Sequence, residues 1–210
     1  AGENVLTDIS FKAKKGQTIA VIGSTGSGKS TLINLIPRYY DVTKGSVKVD
    51  GVDVRDMTQK ELRDKLGYVP QKGVLFSGTI DSNIRYGKPE ITDAQVKEAA
   101  EVAQATEFID TKPEKYESPV SQGGTNVSGG QKQRLSIARA IAKDPEIFIF
   151  DDSFSALDFK TDSQLRKALK EYTKDATTVI VAQRISTILG ADQIIVLDDG
   201  HMAGIGTHKE

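Results

Sequence analysis

The sequence predicts an α/β fold with a parallel β-sheet core, an antiparallel β patch and an inserted α-helical subdomain. Short apolar runs rich in β-branched residues alternate with helical patterns along the 210 residues, which is typical of this fold class. Four runs, near positions 19, 148, 179 and 195, are almost entirely apolar, as expected for parallel strands buried on both faces. No strand is predicted in residues 78–143, so we interpret them as a helical subdomain inserted between residues 1–77 and 144–210, which form the core.

The individual elements follow from local patterns. Strands are predicted at residues 5–11, 17–22, 46–49, 68–70, 147–151, 178–181 and 193–197. The early strands alternate in polarity and include an Asp50-Gly51 turn signal, so they are assigned to the antiparallel patch. Helices are predicted at residues 30–36, 92–105, 128–143 and 160–174. Thr92 is a favourable N-cap for the second helix, and Asp144-Pro145 ends the third.

Composition excludes several classes of protein. The 28 basic and 29 acidic residues nearly cancel, which argues against a nucleic-acid partner because such binding needs clustered positive charge. The absence of cysteine excludes disulfide scaffolds and Cys-based metal sites. No apolar stretch approaches the ~20 residues that span a bilayer. Since the chain starts at Ala1 without Met and stops inside a polar segment, we expect a piece of a longer chain.

A glycine-rich segment between an apolar strand and a helix has the pattern GxxxxGK[ST], which binds nucleotide phosphates. It consists of Gly23, Ser24, Thr25, Gly26, Ser27, Gly28, Lys29 and Ser30, and Thr31 is assigned to the same site. Glycines allow backbone N–H groups to approach phosphate oxygens, and the helix N-terminus adds a favourable dipole. Lys29 is expected to reach the β- and γ-phosphates, and the Ser30 hydroxyl to ligate Mg²⁺. The predicted ligands are therefore ATP and Mg²⁺.

Two aspartates lie at the C-terminal end of the apolar strand predicted at residues 147–151. Asp151 is expected to hold Mg²⁺, as the acidic strand end of such sites does. Asp152 follows at once and is expected to face the γ-phosphate or its attacking water. A strand-end Asp can also simply cap a turn, but the phosphate loop favours the metal role.

A third motif narrows the class of protein. Ser128, Gly129, Gly130 and Gln131 follow Val127 at a predicted helix start, where small residues suit contact with a γ-phosphate. Together with the phosphate loop and Asp151, this motif resembles the signature of the ATP-binding-cassette (ABC) family, with Val127 in place of the usual Leu. The resemblance covers essentially the whole chain in order.

The resemblance implies a RecA-like P-loop NTPase core and one ABC nucleotide-binding domain over residues 1–210, with the membrane domain outside this chain. In the family, the signature contacts ATP held by a second nucleotide-binding domain, so two domains enclose two ATP molecules. Gln71 matches the glutamine that senses Mg²⁺ and the membrane domain, which gives it catalytic and metal-binding roles. Residues 155–158 match the loop that crosses to the other domain.

Further features resemble the exporter subclass. Residues 76–80 and 83–84 follow its pattern, and residues 118–124 stand where exporters contact the coupling helices of the membrane domain. Gln122 replaces the Glu that is usual in that loop. The Gln71 region and residues 118–124 are therefore the predicted contacts with a transmembrane domain, and the predicted location is the cytoplasmic face of the cell membrane.

The family stacks adenine on an aromatic residue upstream of the first phosphate strand. That residue would precede Ala1 here. Base–aromatic stacking contributes about 1–3 kcal/mol. We therefore expect this chain to bind ATP about ten- to hundredfold more weakly than a longer parent.

Two positions depart from the family pattern, and both are expected near the γ-phosphate. Asp152 stands where the family has Glu, its general base, so the carboxylate falls about 1.5 Å short. Misplacement of this order costs about 100-fold in rate. Gln183 stands where the family has a switch His; it can donate a hydrogen bond but cannot carry positive charge. We therefore predict the slow, degenerate site of a heterodimeric exporter, whose signature completes a competent site on the partner.

Other functions remain open at this point. An ordinary homodimeric exporter ATPase would tolerate both changes, and a regulatory nucleotide-binding subunit would hydrolyse little. A chromosome or DNA-repair clamp shares the motifs, but the residues between Ser30 and Ser128 hold no heptad run for a long coiled coil. A small-molecule P-loop kinase would not need residues 128–131.

Overall fold

The structure, a computed structural model, describes residues 5–86, 88–183 and 185–210. The first four residues of the predicted core segment 1–77 lie outside the described residues. Strands are β1 (Thr18–Gly23), β2 (Lys48–Val49), β3 (Val52–Asp53), β4 (Leu66–Val69), β5 (Gly78–Thr79), β6 (Pro119–Val120), β7 (Ile147–Asp151), β8 (Thr177–Val181), β9 (Gln193–Asp198) and β10 (His201–Gly206). The α-helices are α1 (Lys29–Asn34), α2 (Gln59–Asp64), α3 (Ile80–Ile84), α4 (Asp93–Val102), α5 (Thr106–Asp110), α6 (Gly129–Ala142), α7 (Phe159–Tyr172) and α8 (Ile185–Ile188). Short 3-10 helices lie at Val54–Asp56, Lys115–Glu117 and Gln122–Gly124.

Six strands form the central sheet in the order β10-β9-β1-β8-β7-β4. The neighbours from β9 to β4 pair in parallel, and β10 joins β9 antiparallel at the edge. The four apolar runs predicted as buried parallel strands are β1, β7, β8 and β9, which are adjacent in the sheet interior. The α/β class with a mostly parallel core is confirmed. Because the strands are parallel, their carboxyl ends meet at one edge, where α/β folds bind ligands.

Apolar side chains cover both faces of the sheet. On one face, Ile149 belongs to a buried cluster with Ile19 of β1 and Ile33 of α1. On the other face, Phe148 and Phe150 join a larger cluster with side chains of α4, α6 and α7. Successive strand residues point to opposite faces. A strand covered on both sides therefore appears in the sequence as one continuous apolar run.

The antiparallel patch is smaller than predicted. It consists of β2 and β3, joined by Asp50 and Gly51, whose φ angles of 54° and 76° suit a two-residue hairpin turn. The strand predicted at residues 5–11 is wrong. Within the described part of that segment, the only β-pairing is a single bridge between Thr7 and His201. Alternating polarity does not make a strand unless the backbone groups find a paired neighbour.

Residues 78–143 are mainly helical, with α3, α4, α5 and α6 in sequence. Contrary to the prediction of no strand, β5 pairs with β6 in a short antiparallel ladder, which is too brief for periodicity to reveal. Side chains of this segment share one hydrophobic cluster with Phe148 and Leu165 of segment 144–210. The division into a core of 1–77 and 144–210 and a helical subdomain of 78–143 stays a prediction.

The four predicted helices correspond to α1, α4, α6 and α7, with ends that differ by one to three residues. The sequence did not predict α2, α3, α5 and α8, which are too short to show an amphipathic period. It also missed β10, which contains Gly204 and Gly206, because glycine is depleted in strands. Among the described residues, no helix has the length and apolar character that crossing a membrane requires.

Candidate nucleotide-binding site

The carboxyl ends of four adjacent parallel strands build the site. β1 ends at Gly23, where the phosphate loop begins, and β7 ends at Asp151. Gln183 follows the end of β8, and Gln71 follows the end of β4. Since β1, β8, β7 and β4 are neighbours in the sheet, the fold brings to one edge four segments that are far apart in the sequence.

The phosphate loop is packed closely on the edge of the fold. Gly28 has φ 102° at the N-cap of α1, and a Cβ there would lie 2.7 Å from Leu6 Cδ2. A Cβ on Gly23 would lie 2.5 Å from the Leu197 carbonyl oxygen. The Gly200 N–H donates to the Ser27 carbonyl at 2.9 Å. A side chain at Gly23 would therefore collide with backbone, and one at Gly28 would be strained by the positive φ, so both positions favour glycine for reasons besides phosphate access.

Lys29 lies folded over the loop. Its Nζ donates to the Gly23 carbonyl at 2.5 Å and to the Ser24 carbonyl at 2.9 Å. No side chain caps the N-terminus of α1, so the first-turn N–H groups lack a side-chain acceptor. A cavity of about 280 Å³ opens beside the ammonium group. Its lining includes Thr25, Ala182 and Gln183. This edge therefore presents a cation and backbone donors to an anionic ligand.

Asp151 stands at the centre of a small polar network. The Ser30 hydroxyl donates to Asp151 Oδ1 at 3.3 Å. The Tyr68 hydroxyl lies 2.9 Å from Asn34 Oδ1 and 3.5 Å from Asp151 Oδ2. Burial raises the pKa of Asp151, opposed by the hydrogen bonds from Ser30 and Tyr68 and by the charge of Lys29. A partly desolvated carboxylate beside a hydroxyl oxygen is a donor set that fits Mg²⁺, whose charge would compensate that burial.

A metal here would have to arrive with phosphate. In the parts of the chain that the structure describes, no three His, Cys, Asp or Glu side chains are placed to hold an ion together. Mg²⁺ is usually bound through one or two carboxylates together with phosphate oxygens and water. Ser30 and Asp151 therefore fit a metal that accompanies a nucleotide, and their role as its ligands stays a prediction.

The side chains of Asp152 and Gln71 are in contact, next to Asp151. The Gln71 side-chain amide donates to Asp152 Oδ2 at 3.2 Å. Asp152 has φ 51°, uncommon for a residue other than glycine, and its N–H donates to the Val181 carbonyl at 2.8 Å. Gln183 is exposed on the cavity wall. The structure thus gathers Gln71, Asp151, Asp152, Gln183 and the phosphate loop, while the role of each stays a prediction.

The signature motif lies elsewhere on the surface. The Ser128 hydroxyl accepts the Gln131 N–H at 3.1 Å, and the Ser128 N–H donates to Gln131 Oε1, which forms a capping box at the start of α6. A Cβ on Gly130 would lie 3.6 Å from the Ala156 carbonyl oxygen, so the motif lies beside residues 155–158. Of the described residues, none in 128–131 hydrogen-bonds to residues 23–31. The contact of this motif with nucleotide on a second domain stays a prediction.

Sequence reasoning missed three residues that organise the site. Tyr68 and Asn34 support Asp151, and the buried Gln133 of α6 donates to the Pro70 carbonyl at 3.0 Å, next to Gln71. The available signals were a tyrosine within the short apolar strand β4 and a polar residue on the buried face of α6. Buried polar side chains need hydrogen-bond partners, so both positions imply a specific contact.

Comparisons with known proteins agree with the ABC resemblance found in the sequence. A family model described as ABC transporter matches residues 6–155. A multidrug export ATP-binding/permease protein of Staphylococcus aureus (strain NCTC 8325 / PS 47) is 48% identical over 206 residues, which are 98% of this chain and 36% of that protein. A relative of the same description from Bacillus subtilis (strain 168) is 48% identical over 208 residues, 99% of this chain and 36% of its own length.

A solved structure, that of a bacterial Atm1-family ABC exporter with ATP bound, superposes with a TM-score of 0.93 at 40% identity. The match covers 98% of this chain and 36% of that chain. This chain therefore spans little more than a third of the length of the proteins it matches.

Proposed function

The chain belongs to the ABC transporter family, and from this premise we propose that it is the ATP-binding and ATP-hydrolysing domain that powers an ABC exporter. Its own site is the slow, degenerate site of a heterodimer. One observation carries the proposal: the Ser30 hydroxyl lies 3.3 Å from Asp151 Oδ1, which supports a shared metal site, whereas Asp152 and Gln183 replace the family's Glu and His. The predicted cofactors, ATP and Mg²⁺, are those of the family.

The chain's own groups account for nucleotide binding. Lys29 would exchange its carbonyl partners, Gly23 and Ser24, for phosphate oxygens, and the N–H groups of the loop would donate to the same phosphates. Ser30 and Asp151 would hold Mg²⁺, which when bound neutralises charge on the phosphates. This half of the site follows the family pattern at each position, so we propose that it holds the phosphates and Mg²⁺ as the family does.

Hydrolysis is proposed to be slow because the groups near the γ-phosphate are mismatched to it. Asp152 would accept the proton of the attacking water, but its carboxylate is one methylene shorter than the family's Glu. The Gln71 amide, 3.2 Å from Asp152 Oδ2, would orient that carboxylate. Gln183 would donate a hydrogen bond to the γ-phosphate without adding a positive charge. Each departure affects the transition state more than the bound ground state.

The proposed partners are a second nucleotide-binding domain and a transmembrane domain. Ser128 and Gly129 are exposed at the start of α6, which suits contact with nucleotide on the second domain. The transmembrane domain would contact the Gln71 region and residues 118–124, where Gln122 is exposed. Relatives named as multidrug export proteins support export as the direction and the cytoplasmic face of the membrane as the location.

Dimerisation driven by Mg-ATP tests the proposal. No atom lies within 4 Å of a Cβ built on Gly129, so Gly129→Glu fits the fold while placing a carboxylate where the partner's phosphate would lie. Because this chain carries both a phosphate loop and a signature, two copies of it can enclose two nucleotides without the partner chain. We therefore expect the protein to bind Mg-ATP and to associate in response to it, as measured by light scattering. Gly129→Glu should abolish the association and leave ATP binding intact.

Gly204→Glu is the matched control, because Gly204 is equally open but lies on the edge strand β10. It should associate like the unmodified protein. Failure of the unmodified protein to bind Mg-ATP would contradict the proposal, and so would an ATP-dependent dimer that survives Gly129→Glu.

A further inference from the structure

Tyr68 occupies a position beside the metal side of the site that the family pattern did not identify. We propose that Tyr68 is a positioning residue, whose hydroxyl fixes the orientation of the Asp151 carboxylate for Mg²⁺. The inference rests on the proposed function, since the orientation of Asp151 matters only if that carboxylate holds a metal.

The two oxygens of Asp151 face different partners. Oδ1 accepts from the Ser30 hydroxyl at 3.3 Å, and Oδ2 lies 3.5 Å from the Tyr68 hydroxyl. Rotation of a carboxylate about its last side-chain bond is otherwise broad and roughly two-fold. Contacts to separate oxygens restrict that rotation and favour the orientation in which Oδ1 faces Ser30, another predicted ligand. Tyr68 therefore acts on the metal through Asp151 and not by direct contact.

Tyr68 is itself held from two sides. Its hydroxyl lies 2.9 Å from Asn34 Oδ1, and Asn34 ends α1, the helix that carries Ser30. Its ring packs edge-on against Tyr39 with centroids 5.7 Å apart. In the sheet, β4 pairs with β7, the strand that ends at Asp151. The Tyr68 hydroxyl thus joins α1 and β7, the two elements that supply Ser30 and Asp151.

In the structure the Tyr68 hydroxyl donates to Asn34 Oδ1 at 2.9 Å and faces Asp151 Oδ2 at the longer distance of 3.5 Å. Its one proton cannot serve both acceptors at the same time. If the Asn34 amide is turned by half a rotation, its NH₂ donates to the Tyr68 oxygen, and the hydroxyl proton is then directed to Asp151 Oδ2. The chain of donors would run from Asn34 through Tyr68 to Asp151 in one direction. Such a relay would keep the carboxylate oriented without any change in backbone position.

A neutral donor is well suited to this position. An Arg or Lys at the same distance would form a charged pair with Asp151 and compete with the metal for it. The phenol orients the carboxylate and leaves its charge available. Groups that orient a metal ligand in this way typically change metal affinity by about 10–100-fold when they are removed. Because the 3.5 Å contact is longer than an optimal O–H···O bond, we expect the lower end of that range.

The test separates binding that depends on the metal from binding that does not. The affinity for ATP is measured by calorimetry in EDTA and at increasing MgCl₂, for the protein and for Tyr68→Phe. Phe keeps the ring that packs against Tyr39, so the thermal unfolding midpoint should stay close to the original. We expect the Mg²⁺ concentration for half-maximal effect to rise about tenfold, while the affinity in EDTA is unchanged.

Tyr39→Phe is the matched control, because it removes the hydroxyl of the neighbouring tyrosine. Its Mg²⁺ requirement should equal that of the unmodified protein. An unchanged Mg²⁺ requirement in Tyr68→Phe would overturn this inference and leave the proposed function standing. An equal loss of affinity with and without Mg²⁺ would reveal a purely structural role and would also overturn it. If the unmodified protein binds no ATP, the proposed function fails, and the inference fails with it.

Discussion

Two parts of the predicted site differ in how closely they follow the family pattern. We call the part around Ser30 and Asp151 the metal side, and the part around Asp152 and Gln183 the water side. On the metal side, Asp151 lies between Ser30 and Tyr68, and Tyr68 is tied to α1 through Asn34. On the water side, Asp152 and Gln183 both differ from the family pattern. If the proposed function is correct, nucleotide binding and hydrolysis are separable properties of this site. The half at Ser30 and Asp151 would keep the groups that the family uses, while the half at Asp152 and Gln183 would react slowly.

The backbone explains how adjacent carboxylates can differ so much. Asp151 is the last residue of β7 and pairs with Val181 of β8, so the sheet fixes its position. Asp152 turns out of the strand with φ 51°, and its side chain lies beyond the ladder, next to Gln71. Lengthening Asp152 by a methylene should therefore move its carboxylate without disturbing β7 or the Asp151 network.

The largest effect on the binding half is expected from Lys29→Ala. The substitution removes the cation that lies over Gly23 and Ser24, and hydrogen bonds to charged groups contribute about 1.5–3 kcal/mol. Affinity for Mg-ATP, measured by calorimetry, should fall by about 10–100-fold. Lys44→Ala, at an exposed site in the segment before β2, should have no effect. Equal affinity for Mg-ATP in Lys29→Ala and Lys44→Ala would contradict the claim that Lys29 binds the phosphates.

The smallest effect on Mg-ATP affinity is expected when the family residues are restored at positions 152 and 183. Asp152→Glu combined with Gln183→His should change the affinity for Mg-ATP by less than about threefold, because both groups act on the reaction more than on the bound nucleotide. Equilibrium titration under conditions of negligible turnover measures this. A change of the size predicted for Lys29→Ala would show that the water side contributes to binding and that the two halves are not separable.

The sequence was most informative where chemistry and periodicity coincide. The strand at 147–151 was predicted with its observed ends, because an apolar run buried on both faces stops at a carboxylate. The loop at Gly23 to Ser30 was found because few residue types fit a phosphate. The family resemblance assigned Gln71, Asp151 and the signature to a common function. Physical patterns alone would not have connected these residues.

Contacts made only in three dimensions could not be predicted. Nothing near Tyr68 in the sequence indicates that its hydroxyl meets Asn34 and Asp151, because those residues are distant along the chain. The segment 5–11 was predicted as a strand from its alternation, yet pairing depends on a neighbour that no local pattern reveals. The two-residue strands β5 and β6 exist because tertiary packing places them side by side.

The most direct test of the central claim is the steady-state rate of Mg-ATP hydrolysis. The protein is compared with its Asp152→Glu and Gln183→His double variant, and with that double variant carrying Lys29→Ala to exclude a contaminating ATPase. Restoring a correctly placed base and a charged switch residue should raise turnover by about tenfold or more, and Lys29→Ala should remove the gain. Brisk turnover by the unmodified protein, left unchanged by the double substitution, would contradict a degenerate site and indicate an ordinary homodimeric exporter ATPase.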